Sequence, residues 1–492
     1  MTYKKILFLV LLLTLNTYMY AGDYGDIYGA HPSANGMANA VTATVNNSSS
    51  VFYNVAGLGR LSEGEKIFAS LEKEKREKEE RENRDKEEKE NKDESLPEGS
   101  NQSVNIENQA PNSLWKNIRK DSFRYSPFDR TLRTPHELSL QYNFARPQIS
   151  TSAPKNQDIS NVKDDYAGLG MAINLNSIYD IKRNIKFGLN VLLPGNGDLL
   201  TVNDVNPTAH RYLQYGISNI KPTIMGGVGI ELWKDRLFAG IGFNALVSGQ
   251  GAILLKDVPI SPETVTPNQQ VILQTKPFVN PMFGLAFEYG KFQLGWSYRR
   301  EVAMSIDGLP ARAQTTLLGI QLDFDVSMYD HFSPRKMSFG FGYKPFSKLL
   351  LSLQMDKEMW SAFRLSRTKQ TYSENMYFND ILVTRAGFEY QARDWLKLRA
   401  GLAKRPRPTP TMSGNNNIMD FDKLIATAGI SVLLLPEKVL PDQKSPIILD
   451  LVFEYQKLTE ELVSKNIPSQ RNPNYSMGGK VLHLGFSVTM FF

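Results

Sequence analysis

Arg299, Arg385 and Arg399 each lie in a segment where apolar and polar residues alternate, so each shares a strand face with other polar side chains. In 292–300 the face with Arg299 also holds Gln293, Gly295 and Ser297. Phe292, Leu294, Trp296 and Tyr298 point the other way. The same kind of face elsewhere carries Glu301, Lys344, Asp356, Glu389, Lys397, Asp450 and Glu454. A guanidinium matches a carboxylate bidentately, so the chemistry on offer is capture of an anionic head group. Both signs of charge are present, and internal ion pairing satisfies the same pattern. The residues leave both readings open. Catalysis is not indicated: the five histidines are scattered, and no metal-ligand cluster, nucleophile set or phosphate-cradling loop occurs. Gly226-Gly-Val-Gly229 lies inside a strand-like run with no helix after it. A non-enzyme without a cofactor is expected.

The elements that must position these residues are strands. In 481–492, Leu482, Leu484, Phe486, Val488, Met490 and Phe492 fall on one face, with His483, Gly485, Ser487 and Thr489 on the other. In 448–456, Leu449, Leu451, Phe453 and Tyr455 oppose Asp450, Glu454 and Gln456. A charge facing hydrocarbon at mid-depth costs about 2 to 4 kcal/mol, so the acids belong to a lumen and the apolar faces to lipid. After the first fifteen or so residues no apolar run is long enough for a spanning helix, and mean hydropathy is -0.33. About fourteen strands can be counted from 137 to 492, with short turns alternating with long loops. The fold class expected is all-β, a membrane-spanning antiparallel β-barrel with its short turns on the periplasmic side. That puts it in the outer membrane of a diderm bacterium.

Upstream of the barrel, the composition changes twice. Residues 1–21 carry Lys4 and Lys5, an apolar stretch and Ala21, the layout of a secretory signal peptide. Residues 22–61 are small and polar, unable to build a core alone, yet able to order inside a larger cavity. Residues 62–135 form a charged insertion and linker: a run of Glu, Lys and Arg with almost no apolar stripe reads as a solvated helix or a disordered tract. Residues 136–492 are the barrel. Cysteine is absent and the net charge is +6. No basic run is interleaved with aromatics, so a nucleic-acid partner is not expected.

Ala34-Asn-Gly-Met-Ala-Asn-Ala40, followed by 46–58 with Phe52-Tyr-Asn-Val-Ala-Gly57, resembles the hatch of the outer-membrane long-chain fatty acid and hydrophobic-compound transporters, the FadL/TodX family. Asn54, Ala56 and Gly57 match its Asn-Pro-Ala-Gly element, with Val55 in place of the proline. Further segments resemble the family in order: 294–302, 337–345, 360–363, 385–390 and 398–401. The resemblance implies a hatch (Phe52, Tyr53, Asn54, Val55, Ala56, Gly57) plugging the lumen of a monomeric barrel. It further implies passive uptake of long-chain fatty acids or other hydrophobic small molecules, with a hatch shift and lateral escape into outer-membrane lipid. Arg299, Arg385 and Arg399 become candidates for the ligand's head group. Terminal Phe492 becomes the signal read by the barrel assembly machinery. The rival expectation is a non-transporting surface barrel, an adhesin or structural protein.

Overall fold

The computed structural model describes residues 21–22, 24–93, 135–153, 163–176, 184–194, 210–215, 220–221, 223–246, 250–255, 259–261, 264–265, 269–274, 278–309, 315–317, 320–322, 326–363, 377–415, 417–435, 445–470 and 472–492. The expected signal peptide up to Tyr20, the linker 94–134 and Gly195 lie outside these. So do the side chains of the apolar residues in two long loops, Val258, Ile260, Val271, Ile272 and Leu273 in one and Leu309, Leu317, Leu318 and Ile320 in the other.

Fourteen strands close into one barrel. In chain order they are β1 (Glu137–Thr151), β2 (Tyr166–Asn174), β3 (Ile185–Pro194), β4 (Thr223–Trp233), β5 (Leu237–Leu246), β6 (Phe278–Tyr289), β7 (Phe292–Arg299), β8 (Arg335–Phe346), β9 (Leu349–Met359), β10 (Ile381–Arg393), β11 (Leu396–Arg405), β12 (Lys423–Leu434), β13 (Ile447–Val463) and β14 (Tyr475–Phe491). Every neighbour is antiparallel and sequential, and β14 returns to β1 in a register running from Glu137 opposite Phe491 to Thr151 opposite Met477. The seam ends in a reciprocal pair, His136 N–H to Phe492 O at 2.8 Å and Phe492 N–H to His136 O at 3.0 Å.

Alternation determines which residues meet lipid. Ile241, Phe339, Leu353 and Leu402 are more than half exposed on the outer wall, while Asp450, Glu454, Gln456 and His483 are buried within. The periplasmic turns are tight, and Gly290 takes a left-handed φ of 59° in one of them, a conformation free of steric cost only for glycine. Two strands are shorter than the alternation suggests. β2 ends at Asn174 rather than near 179, and β7 ends at Arg299, after which Val302–Leu309 pairs with Val326–Ser333 as a hairpin beyond the wall. The other long loop forms a ladder too, Gln250–Leu255 with Gln269–Gln274.

Inside the barrel the segment before β1 folds into short helical pieces: α1 (Tyr24–Tyr28), α2 (Pro32–Asn35), α3 (Ser50–Tyr53) and a 3-10 turn over Val55–Gly59. Its apolar residues, Tyr24, Tyr28, Met37, Val41, Val51, Phe52 and Leu58 among them, form one buried cluster with inward wall residues such as Tyr166 and Leu192. The charged insertion begins as α4 (Glu63–Asp93), at the end of the barrel that carries the short turns. From Arg76 to Lys86 its described side chains are almost all exposed.

Candidate functional site: a hatch clamped inside the barrel

The hatch keeps its shape through a few buried polar ties. Tyr53 is the hub: its hydroxyl donates to Asn39 Oδ1 at 2.6 Å and accepts from the Ala30 N–H at 2.8 Å. Ala38 and Asn39 both have positive φ, and the sharp return they make turns the chain back toward Tyr53. Asn54 turns the chain where the family carries proline. Extended at φ −162°, it accepts from the Ala56 N–H at 3.2 Å, capping the 3-10 turn, and donates to Thr42 O at 2.8 Å and to Leu285 O of β6 at 3.0 Å. The bend therefore forms without a proline at position 55, because a side-chain cap supplies what a fixed φ would.

The wall accepts this segment closely because glycines face it. A Cβ on Gly240 would lie 2.5 Å from Val55 C and 2.6 Å from Ala56 N. One on Gly340 would lie 2.6 Å from Ala43 N. Gly295 and Gly401 meet hatch backbone in the same way. The lumenal glycines mark where two backbones touch, the role glycine takes in strands approached by another chain.

Charged side chains fix the hatch at two levels. At the outer level Asp26 of α1 is held by Arg299 of β7 and by Lys336 of β8, the latter at 3.1 Å. Phe52 lies under the Arg299 guanidinium, 5.2 Å from its ring centre. Asp356 accepts from Arg385 Nε at 2.8 Å, and Arg385 Nη1 donates to Ala38 O at 3.0 Å. At the inner level Arg399 is paired within the wall, to Glu389 at 2.7 Å and to Asp450 at 3.0 Å, beside the hatch at Gly36. Arg60 donates to Ala43 O at 2.7 Å and pairs with Glu288 at 2.8 Å.

All three arginines expected from sequence thus project into the lumen, and each is paired there. Of the two readings the sequence left open, the structure has internal ion pairing at Arg385 and Arg399. Arg299 differs in that its carboxylate comes from α1 of the hatch, a five-residue helical turn, rather than from the wall.

Sequence reasoning missed Asp26, Lys336 and the first turn of α4. Asp26 was legible as one of two acids, with Asp23, in a segment otherwise built mainly from small and neutral residues. In α4, Ser62 and Glu65 make a capping box, with Ser62 N–H to Glu65 Oε2 at 2.5 Å and Glu65 N–H to Ser62 Oγ at 3.2 Å. Glu65 also pairs with Lys186 of β3, and Glu63 with Lys397 of β11. These two strands lie on opposite sides of the barrel, so one helical turn bridges its mouth.

Behind α1, Tyr24 stacks on Tyr166 of β2 with ring centres 4.8 Å apart. The Tyr28 hydroxyl donates to Asp164 at 2.8 Å, and Tyr166 donates to Gly29 O at 2.6 Å. Beneath the hatch a cavity of about 1220 Å³ opens among the short turns.

A closed barrel of lipid-facing strands with a clamped internal hatch has counterparts among known proteins. The profile of the family described as outer membrane protein transport protein (OMPP1/FadL/TodX) matches residues 283–475. Alkane uptake protein A of Marinobacter nauticus is 24% identical over 359 residues, covering 68% of this chain and 78% of that protein. Residues 283–475 thus match the FadL/TodX family, and the curated relative supports the same assignment. Together with the closed barrel, these matches support an outer-membrane protein that transports hydrophobic compounds passively. Among solved structures, a Pseudomonas aeruginosa FadL homologue is similar at 14% identity and a TM-score of 0.44, covering 74% of this chain and 91% of its own. The toluene transporter TodX of P. putida is similar at 10% identity and a TM-score of 0.39, with the same two coverages.

Proposed function

We propose that this protein admits long-chain fatty acids as its principal substrates and that the seat of α1 is the gate. The observation that carries the reading is the corner made by Arg299 and Lys336, which already holds one carboxylate, that of Asp26. An incoming fatty acid offers the same group, and exchange with Asp26 frees α1. Asn54 to Gly57, tied to β6 and packed against the glycines of β4 and β5, stays as the fixed end of the hatch.

Release of α1 uncovers the wall between β1 and β2. There, among the described residues, β1 pairs with β2 only from Glu137 to Asn143, whereas its pairing with β14 continues to Thr151. A side exit at this edge would deliver an apolar chain to lipid without exposing it to water. An alkane, the cargo named for the Marinobacter relative, has no head group for Arg299, so the corner distinguishes the two substrate classes.

Arg299→Gln should therefore depress hexadecanoate uptake about tenfold relative to hexadecane uptake, the worth of one charge-assisted contact of roughly 1.4 kcal/mol, whatever the loosened α1 does to both. Equal effects on both would remove the fatty-acid assignment. Deleting residues 22–61 separates transport from adhesion: a transporter becomes leaky or loses gated uptake, and an adhesin keeps its binding with no change in permeability.

A further inference from the structure

We infer that the cavity beneath the hatch is a second amphiphile site, open to the periplasm, that takes a long-chain carboxylate with its head group on Lys344. It rests on the lumen's own pattern and is independent of passage through α1.

Along β8 the inward residues run from Lys336 through Ser338, Gly340 and Gly342 to Lys344. Lys336 lies at the outer level, on Asp26 and Asp356. Gly340 and Gly342 are pressed by Thr42, Ala43 and Thr44 of the hatch. Lys344 comes next, on the periplasmic side of that contact, and lines the cavity. Its charged neighbours are Lys66, Glu288, Glu389 and Lys397. Both acids are engaged elsewhere, Glu288 by Arg60 and Glu389 by Arg399 and Lys397. Lys344 has no carboxylate within ion-pair distance among the described residues, unlike Lys186, Lys336, Lys397 and Lys423 on the same lumenal surface. A half-buried ammonium beside engaged acids and the like-charged Lys66 is a place for an anion from outside the protein.

The second observation is a break in the inward pattern. Higher in the lumen the inward positions are mostly polar, with Ser352, Gln354 and Asp356 on β9, Thr427 and Ser431 on β12, and Asp450 and Glu454 on β13, interrupted by Ile425 and Val452. At the periplasmic rim the same faces end in Leu350, Leu433 and Ile448, all half-buried and all lining the cavity. Leu350 belongs to the strand paired with β8 at the level of Lys344, since Tyr343 is opposite Leu351 and Phe346 opposite Leu349. An apolar arc beginning beside a lone cation, in a space of about 1220 Å³, has the form of a site for one chain and one anionic head.

The full-length protein in nanodiscs is to be photolabelled with three probes carrying a diazirine near the chain end: hexadecanoate, hexadecanol and a lysophosphatidylglycerol. Labelled peptides are then mapped. The expected result is hexadecanoate labelling at 344–350, 431–434 or 446–450, about tenfold stronger than with hexadecanol, lost in Lys344→Gln and kept in Lys344→Arg. Labelling there by the lysolipid as well would make any anionic head sufficient; labelling by hexadecanoate alone would make the carboxylate the determinant. Either supports the site. Equal labelling by the alcohol, indifference to Lys344→Gln, or label confined to the outer level around Arg299 overturns it. Failure of the Arg299 gate leaves this labelling intact, so the two ideas fail separately.

Discussion

Replacing Asp26 by alanine should unseat α1 while leaving the barrel standing. Its carboxylate is buried between Arg299 and Lys336, whose side chains are 7% and 14% exposed. Removing one partner of a buried pair costs about 3 to 5 kcal/mol, because the remaining charge stays desolvated. Here the low end applies, since Lys336 keeps Asp356 at 3.8 Å and Arg299 keeps the Phe52 ring. About 3 kcal/mol multiplies the population with α1 released by roughly a hundredfold. Amide exchange across 24–35 should accelerate by that order, and exchange in β7 and β8 should not change. A reconstituted bilayer should show more frequent openings. Unaltered protection of 24–35 in Asp26→Ala would refute the claim that this corner holds the gate shut.

Three further outcomes follow from the same packing. Gly240→Val puts a branched side chain against the backbone at Val55 and Ala56, both within 2.6 Å of a Cβ. The hatch should leave its seat and small hydrophilic solutes leak, while a heat-modifiable barrel persists, as strands tolerate valine. Burial raises the Asp164 carboxyl from its usual 3.8 to about 6. A raised carboxyl favours the docked state when protonated, so stability is fully present below the unfolded value and declines as pH rises through about 6. Protection of 24–30 should therefore be greater at pH 5 than at pH 7, by about 1.3 kcal/mol, and Asp164→Asn should abolish the difference. Phe492→Asp, at the terminal pair with His136, should block outer-membrane assembly; a normal level of folded barrel in the membrane would remove the proposed assembly signal.

The barrel was legible because a period of two is written into every wall strand, as in Leu451, Phe453 and Tyr455 against Asp450, Glu454 and Gln456. Strand ends were less so: Arg300 and Glu301 continue the alternation in kind, yet the wall stops at Arg299 because the chain there begins a separate hairpin. The hatch could be placed by its small residues, but not its bonds, since Tyr53, Asn39 and Ala30 meet only through a return at Ala38 and Asn39. The arginine faces were readable and their partners were not. Asp26 with Arg299, and Glu63 with Lys397, are joined across more than 270 residues by closure of the barrel, which no local pattern records. The first turn of α4 carried a local sign in Ser62 and Glu65, a capping box at the start of a run that otherwise reads only as charge.

Hydrophobic molecules should pass this barrel while water-soluble ones should not. Purified protein in liposomes should take up labelled hexadecanoate saturably and without an energy source, and retain an entrapped hydrophilic dye. Liposomes that neither bind nor admit hexadecanoate, hexadecane or toluene, or that lose the dye at the rate of an open pore, would contradict it.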